Sequence, residues 1–257
     1  MVSTAADGAW DAMQLVAIRN QKVGERVAQE IAGWILDQGL RNGDGLPNEK
    51  EMAASLEVSR TTLREGLRLL ETQGIITIRT GPGGGPVVRS PQPADLANSA
   101  SLLLQFMDVT FSQVIDSRAA LEPEIARLAA LHRTDAQVEE LAASARTMGE
   151  VVGDPPRYRE QYAAFHELMG YATHNGVLAV FAATQRKISE VFQQEVVYGP
   201  KSVRGAVQSH HRLVDAIGDR DAVAAAAEAT EHFRWYRSYI ERRYPGLLDR
   251  PVRWIPT

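Results

Sequence analysis

Residues Leu46–Gly74 read LPNEKEMAASLEVSRTTLREGLRLLETQG, and this stretch decides the fold. Asn48 can cap a short helix over 48–57, its side-chain oxygen taking up free N–H groups of the first turn. After Val58 and Ser59, a second helix over 60–73 carries Leu63, Leu67 and Leu70 along one side and stops at Gly74, glycine being the residue that most easily takes the left-handed backbone of a helix end. Arg60 and Arg64 are four residues apart and project from one flank. A helix that opens with hydroxyls and N–H groups suits phosphate, and arginines near its start suit guanine, whose O6 and N7 accept both arms of a guanidinium. Ser59, Arg60, Thr61, Thr62 and Arg64 supply that set, and Lys50 on the preceding helix is placed to meet a phosphate as a point charge. The plain alternative for any such helix is a solvated face whose arginines pair with Glu57, Glu65 or Glu71.

The flanks decide between these readings. Upstream, residues 21–39 put Val23, Val27, Ile31, Trp34 and Ile35 at helical spacing, with Gly39 as the stop; LRNGDGLP (40–47) then reads as a turn-rich connector. Downstream, IITIRT (75–80) has β-branched strand character, GPGGG (81–85) makes a flexible tip, and PVVR (86–89) returns as a partner strand. Three helices followed by a hairpin is the plan of a winged helix-turn-helix, in which the second helix of the motif enters the major groove of DNA.

Net charge over the 257 residues is −4, but it is unevenly spread. From Val58 to Ser90 five arginines face two glutamates, a local +3 that leaves −7 for the remainder. An acidic body with a small basic face still binds a polyanion through that face. Hydrophobic residues make up 44%, enough for a substantial core. The absence of cysteine excludes a disulfide scaffold, a thiolate metal site and a thiol nucleophile. No basic region followed by an apolar run opens the chain, and no stretch reaches the 18 or so apolar residues of a membrane span, so a cytoplasmic protein without membrane partners is expected.

SPQPAD (90–95) marks a composition change. The organisation expected is a leader over 1–20, a DNA-binding domain over 21–90, an all-helical bundle over 95–243 and a non-helical tail over 244–257. Helices are expected near 95–106, 109–132, 134–151, 156–174, 177–197, 201–218 and 220–242, with Leu121, Ile125, Leu128 and Leu131 as an apolar stripe of the second of them. Of six histidines, His166, His210 and His232 fall on separate helices of that bundle, where they can converge on a divalent cation; a lone helical histidine is more often simply packed. A three-histidine site with open positions is also how a catalytic zinc is presented, with Glu167 or Glu195 as general base by residue type alone. That reading leaves residues 46–89 without a role. A DNA-binding architectural protein without a ligand is the third class.

The stretch LPNEKEMAASLEVSRTTLREGLRLLETQGIITIRTGPG resembles the N-terminal domain of GntR-family bacterial regulators, and SRTTLRE is similar to the FadR-type branch. Carried over by position, Lys50, Arg60, Thr61, Thr62 and Arg64 match the DNA contacts, and Thr80 with Gly81 match the wing tip. The helical part resembles the FCD effector domain, with Arg118 and Glu122 on its first long helix and His210, Ala216, Ile217, Asp221 and His232 near its end. The resemblance makes His166, His210 and His232 three of four metal ligands, for a Zn- or Ni-type ion; where the family carries Asp, this chain has Tyr162. A neutral phenol is a poor ligand, so two readings stand: three imidazoles hold the ion, or Tyr162 and the histidines bond an effector directly. Arg118 is implied as the grip for an effector carboxylate, with an intrahelical pair to Glu122 as the alternative. The resemblance implies a homodimeric repressor on a palindromic double-stranded operator, released by a small carboxylate metabolite. An acyl-CoA or fatty-acid effector without metal is the alternative.

Overall fold

The computed structural model of the chain describes residues 14–81 and 84–255. Two compact units divide between Asp95 and Leu96. The first contains α1 (Gln14–Asp37), α2 (Glu49–Ser55), α3 (Arg60–Thr72), β1 (Ile76–Arg79) and β2 (Gly85–Val88). α1 starts inside the stretch read as a leader; residues 1–13 of that leader, Pro82 and Gly83 of the hairpin tip, and residues 256–257 of the tail lie outside the described residues.

Each element of this unit follows from the residues that make it. Asn48 Oδ1 accepts from the N–H groups of Lys50 and Glu51 and caps α2; Ser59 Oγ accepts from Thr62 and caps α3. Val27, Ile31 and Ile35 of α1 pack on Leu63, Leu67 and Leu70 of α3, with Met52, Ala53, Ile76 and Val88 closing the core. Val23 and Trp34, expected on the same stripe, are each 40% exposed, because the α3 contact covers only a narrow face of α1. That contact is close: a Cβ on Gly66 would lie 2.6 Å from Val27 Cγ1, so only glycine fits there. Gly74 stops α3 at φ +71°.

The hairpin pairs Ile76 with Val88 and Arg79 with Gly85 in antiparallel register. The connector before α2 does more than turn. Gly43 N–H donates to Val88 O, Leu46 N–H to Pro86 O, and Val88 N–H to Asp44 O, so residues 43–46 occupy the open edge of β2. Glycine-rich sequence hid this pairing; an unpaired edge demands it.

The second unit is helical: α4 (Pro93–Phe106, entering across the boundary), α5 (Phe111–His132), α6 (Asp135–Glu150), α7 (Pro155–Ala172), α8 (Gly176–Gln193), α9 (Pro200–Gly218) and α10 (Ala222–Arg243). Among the described residues the fold is therefore mainly α, ten helices with one two-stranded hairpin. Two apolar clusters fill the bundle. One gathers Ile125, Ala129, Leu141, Met148, Phe165 and Ile217; the other gathers Phe111, Ile115, Phe192, Phe233 and Ile240. α5 and α10 run through both. Along α5, Ile115 belongs to one cluster and Ile125 to the other; along α10, Phe233 and Ala229 do the same. The expected stripe on α5 is rotated: Ile125 is buried but Leu131 is 44% exposed, and the inward line runs instead through Arg118, Glu122, Ile125, Ala126 and Ala129.

The C-terminal segment is tied down. Phe111 and Ser112 at the start of α5 donate to the carbonyls of Arg250 and Leu248, Val252 N–H donates to Val109 O, and Leu247 and Val252 are buried. It supplies acceptors that a helix N-terminus otherwise lacks.

Candidate functional site

Two sets of residues bear on function, one in each unit. On the first, Lys50, Ser59, Arg60, Thr61 and Arg64 are exposed along the start of α3 and on α2, and Thr80 and Gly81 are exposed after β1, with Gly81 at φ +99°. Ser59 and Thr62 hydroxyls also bond each other at 2.9 Å, so both are ordered by the cap rather than free rotors. Arg64 Nε donates to Glu49 Oε2 at 2.9 Å, across from α3 to α2. The glutamates considered as its partners from sequence were Glu57, Glu65 and Glu71; the one that holds it is Glu49, a tertiary neighbour fifteen positions away.

The second set lies where the two apolar clusters of the bundle meet. α7, α9 and α10 bring His166, His210 and His232 together, 3%, 0% and 2% exposed. One ring nitrogen from each lies within 4.8 Å of the others. Ring centroids are 5.5 Å apart for His166 and His210, and 4.7 Å for His210 and His232.

The second nitrogen of each ring is occupied. His166 Nδ1–H donates to Glu122 Oε2 at 2.9 Å, and His210 Nδ1–H donates to the Ala206 carbonyl at 2.7 Å. His232 Nε2 meets the Tyr162 hydroxyl at 3.2 Å. The nitrogens left over, His166 Nε2, His210 Nε2 and His232 Nδ1, are buried and have no partner. A carbonyl and a carboxylate only accept, so the Nδ1 atoms of His210 and His166 carry the protons, and in the neutral ring Nε2 keeps its lone pair. Metal-ligating histidines are supported in this manner, one nitrogen held by an outer acceptor and the other turned to the ion. When the Tyr162 oxygen accepts from His232 Nε2–H, His232 Nδ1 keeps its lone pair too, and three such nitrogens suit a borderline-soft divalent cation.

Charge in this layer is balanced. Arg118 donates through Nε and Nη2 to Glu122 Oε1, at 3.3 and 2.8 Å, and its guanidinium lies 5.0 Å over the Phe233 ring. Both readings of Arg118 are thus compatible: it pairs with Glu122 and still keeps Nη1 buried without a partner. Burial works against ionising Glu122, but the His166 N–H and the Arg118 guanidinium outweigh it and hold the carboxyl at about 2. Burial, aided by nearby His166, pushes His210 down to about 3, and burial likewise lowers His232. Burial raises the Tyr162 phenol, which stays protonated.

These shifts set a pH dependence. The folded chain resists protonating His210 until about 3, whereas an unfolded histidine takes its proton near 6.5. Acid therefore favours unfolding from 6.5 downward, and Glu122 adds to the loss below 4.5. The melting midpoint of chelator-treated protein should fall steadily as pH drops from 6.5 to 4.5; a flat profile there would contradict the buried neutral imidazoles.

Glu167 and Glu195 do not serve this centre. Glu167 lies 3.7 Å from Arg186 in a groove of about 600 Å³ along α7 and α8, and Glu195 pairs with Arg250 at 2.6 Å. Glu122, by contrast, was legible only as Arg118's neighbour; its link to His166 joins residues 44 positions apart.

Comparison with known proteins places both units. The family model described as "Bacterial regulatory proteins, gntR family" matches residues 23–84, and the FCD domain model matches residues 113–234. The HTH-type transcriptional regulator Rv0494 of Mycobacterium tuberculosis is 30% identical over 236 residues, covering 86% of this chain and 93% of that protein. The chain belongs to the GntR family. Within that family it is a transcriptional regulator with an FCD effector domain, which sets aside the enzyme reading. The Glc operon transcriptional activator of Escherichia coli (strain K12) is 29% identical, covering 82% of this chain and 85% of that protein. A solved Streptococcus agalactiae GntR structure superposes with a TM-score of 0.70 at 26% identity, covering 84% of this chain and 99% of that one. As in other GntR regulators, the helix-turn-helix implies DNA as partner and the FCD domain implies a small-molecule effector. No helix among the described residues is long and apolar enough to cross a membrane.

Proposed function

We propose that this GntR regulator is a homodimeric repressor that binds a palindromic operator and leaves it when a small carboxylate metabolite enters the FCD domain. The observation that carries the reading is the set of buried, unpartnered atoms in one layer: a ring nitrogen on each of His166, His210 and His232, and Nη1 of Arg118. Their chemistry supports a divalent cation on the imidazoles, and such an ion supplies a positive charge that attracts a carboxylate. Arg118 then steers the acid as a charge-assisted donor, and Glu122 keeps both Arg118 and His166 in place. Tyr162 contributes a neutral hydroxyl to His232 in place of the family's carboxylate ligand, which leaves the ion more positive and favours an anionic effector.

On the DNA side, Arg60 and Arg64 read bases while Lys50, Ser59, Thr61 and Thr62 meet phosphates, and Thr80 with Gly81 approach the minor groove. Two-fold half-sites call for two copies of the chain. The effector lowers operator affinity to the extent that it binds better to the non-operator arrangement of the dimer. One observation favours a second reading of the output: the relative at 29% identity is a transcriptional activator of the Glc operon, so the same switch can raise transcription.

Arg60→Ala or Arg64→Ala should each weaken specific operator binding by about 1–3 kcal/mol and relax base preference at one position. Fluorescence anisotropy on an operator recovered by in vitro selection measures this. Unchanged affinity in both variants would remove α3 from the role of reader.

A further inference from the structure

What holds α4, the helix through which the chain enters the second unit, is not another helix. α5 lies closely along α7, α8, α9 and α10, whereas α4 has no such helix partner among the described residues. Residues 96–107, LANSASLLLQFM, carry no charge, so no ion pair pins that stretch. Its inward face is Ala97, Ala100, Ser101 and Leu104, mostly small side chains that bury little apolar area. Leu103 and Phe106, on the other side, are 62% and 80% exposed.

The grip comes from the C-terminal segment. Asn98 Nδ2 donates to the Ile255 carbonyl at 3.0 Å, Ile255 N–H to Ser101 Oγ at 3.1 Å, and Trp254 N–H to Gln105 Oε1 at 2.7 Å. Asn98, Ser101 and Gln105 are three and four positions apart, so they line one side of the helix. Among the described residues, every side-chain hydrogen bond that leaves α4 beyond Asp95 goes to Trp254 or Ile255. The segment is itself fastened upstream. Val252 N–H donates to Val109 O, Pro251 bridges Thr110, and Leu247 and Val252 join the apolar cluster of Phe111 and Phe233. Arg250 pairs with Glu195, and the Tyr244 hydroxyl, at the end of α10, donates to Val197 O at 2.8 Å.

We infer that residues 252–255 are a strap that fixes α4 on the bundle, and that Asn98, Ser101 and Gln105 are positioning residues for operator binding. A palindrome asks for two reading heads at a set spacing, so a loosened α4 adds an ordering cost to every docking event. This rests on the reading of the regulator as a homodimer on a palindromic operator, its copies joined through their helical units.

Hydrogen exchange of the full chain, followed by mass spectrometry on peptides from 96–107, tests the grip. Asn98→Ala combined with Gln105→Ala should speed exchange across α4 by at least about tenfold and leave α5 to α10 unchanged. Alanine is the best helix former, so faster exchange cannot come from lost propensity. Gln105→Glu alone keeps an acceptor for Trp254 N–H and should exchange like the parent chain. In fluorescence anisotropy the double variant should bind the selected palindrome at least about tenfold more weakly, yet bind a single half-site as the parent does. A chain cut after Val252 removes the strap's hydrogen bonds outright and should repeat both effects. Unchanged exchange in both variants overturns the strap. Faster exchange with full palindrome affinity, or an equal loss on the half-site, overturns its role in positioning. If the parent binds the selected DNA as a monomer, the dimeric reading itself fails, and the positioning role with it.

Discussion

Replacing His210 with alanine is expected to cost the protein its divalent-cation affinity by more than ~100-fold, beyond the 10–100-fold that follows loss of an outer supporting group. His210 is fully buried on α9, and the Ala206 carbonyl one turn back fixes which of its nitrogens faces the layer. Without it only two imidazoles remain, and a two-ligand site in a neutral layer cannot repay the dehydration of a divalent ion. Effector response should vanish together with the ion. Operator affinity should stay within about threefold, because the residues assigned to DNA belong to the other unit. A zinc competition titration beside an operator-binding curve reads both quantities. Wild-type zinc affinity in the variant would show that the histidines converge for packing alone.

Glu122→Ala should destabilise the FCD domain by roughly 3–5 kcal/mol, the scale of a buried ion pair stripped of one partner. The carboxylate serves two groups at once, Arg118 through Oε1 and His166 through Oε2, with every side chain involved no more than 3% exposed. Its removal strands a guanidinium in the core and leaves the His166 N–H without an acceptor. Glu122→Gln keeps an acceptor and the volume, so it should recover part of the loss, though the guanidinium stays uncompensated. Denaturant melts of the two variants separate these contributions. A cost below about 1 kcal/mol for the alanine variant would mean that the layer is hydrated and the pair is screened.

The residues that local chemistry governs were readable in advance. Asn48 caps its helix, Gly74 stops α3, and Leu63, Leu67 and Leu70 bury against α1, because caps, stops and helical period act over a few positions. What stayed hidden depends on distant neighbours. Arg64 finds Glu49, His166 finds Glu122, and residues 43–46 find the edge of β2. α5 shows the reason most plainly. Its inward face includes Arg118 and Glu122, so a search for apolar spacing rotates the helix toward Leu131, which is exposed. Charged residues look outward in a sequence until their partners are known. The helix expected over 177–197 ends earlier, after Gln193; no glycine or proline marks that stop before Gly199.

The ion pair between Arg64 and Glu49 has a consequence for how the regulator finds its target among many decoys. Glu49 occupies the Nε–H of Arg64 and sets a negative charge beside it, while the outer guanidinium N–H groups stay exposed. A phosphate on random sequence meets that arginine with a carboxylate at its side, and the attraction is weaker for it. On the proposed reading, a matching guanine still takes two directed bonds from the outer N–H groups. Glu49 would then trim background adhesion more than correct docking, so that fewer molecules are lost to the rest of the genome.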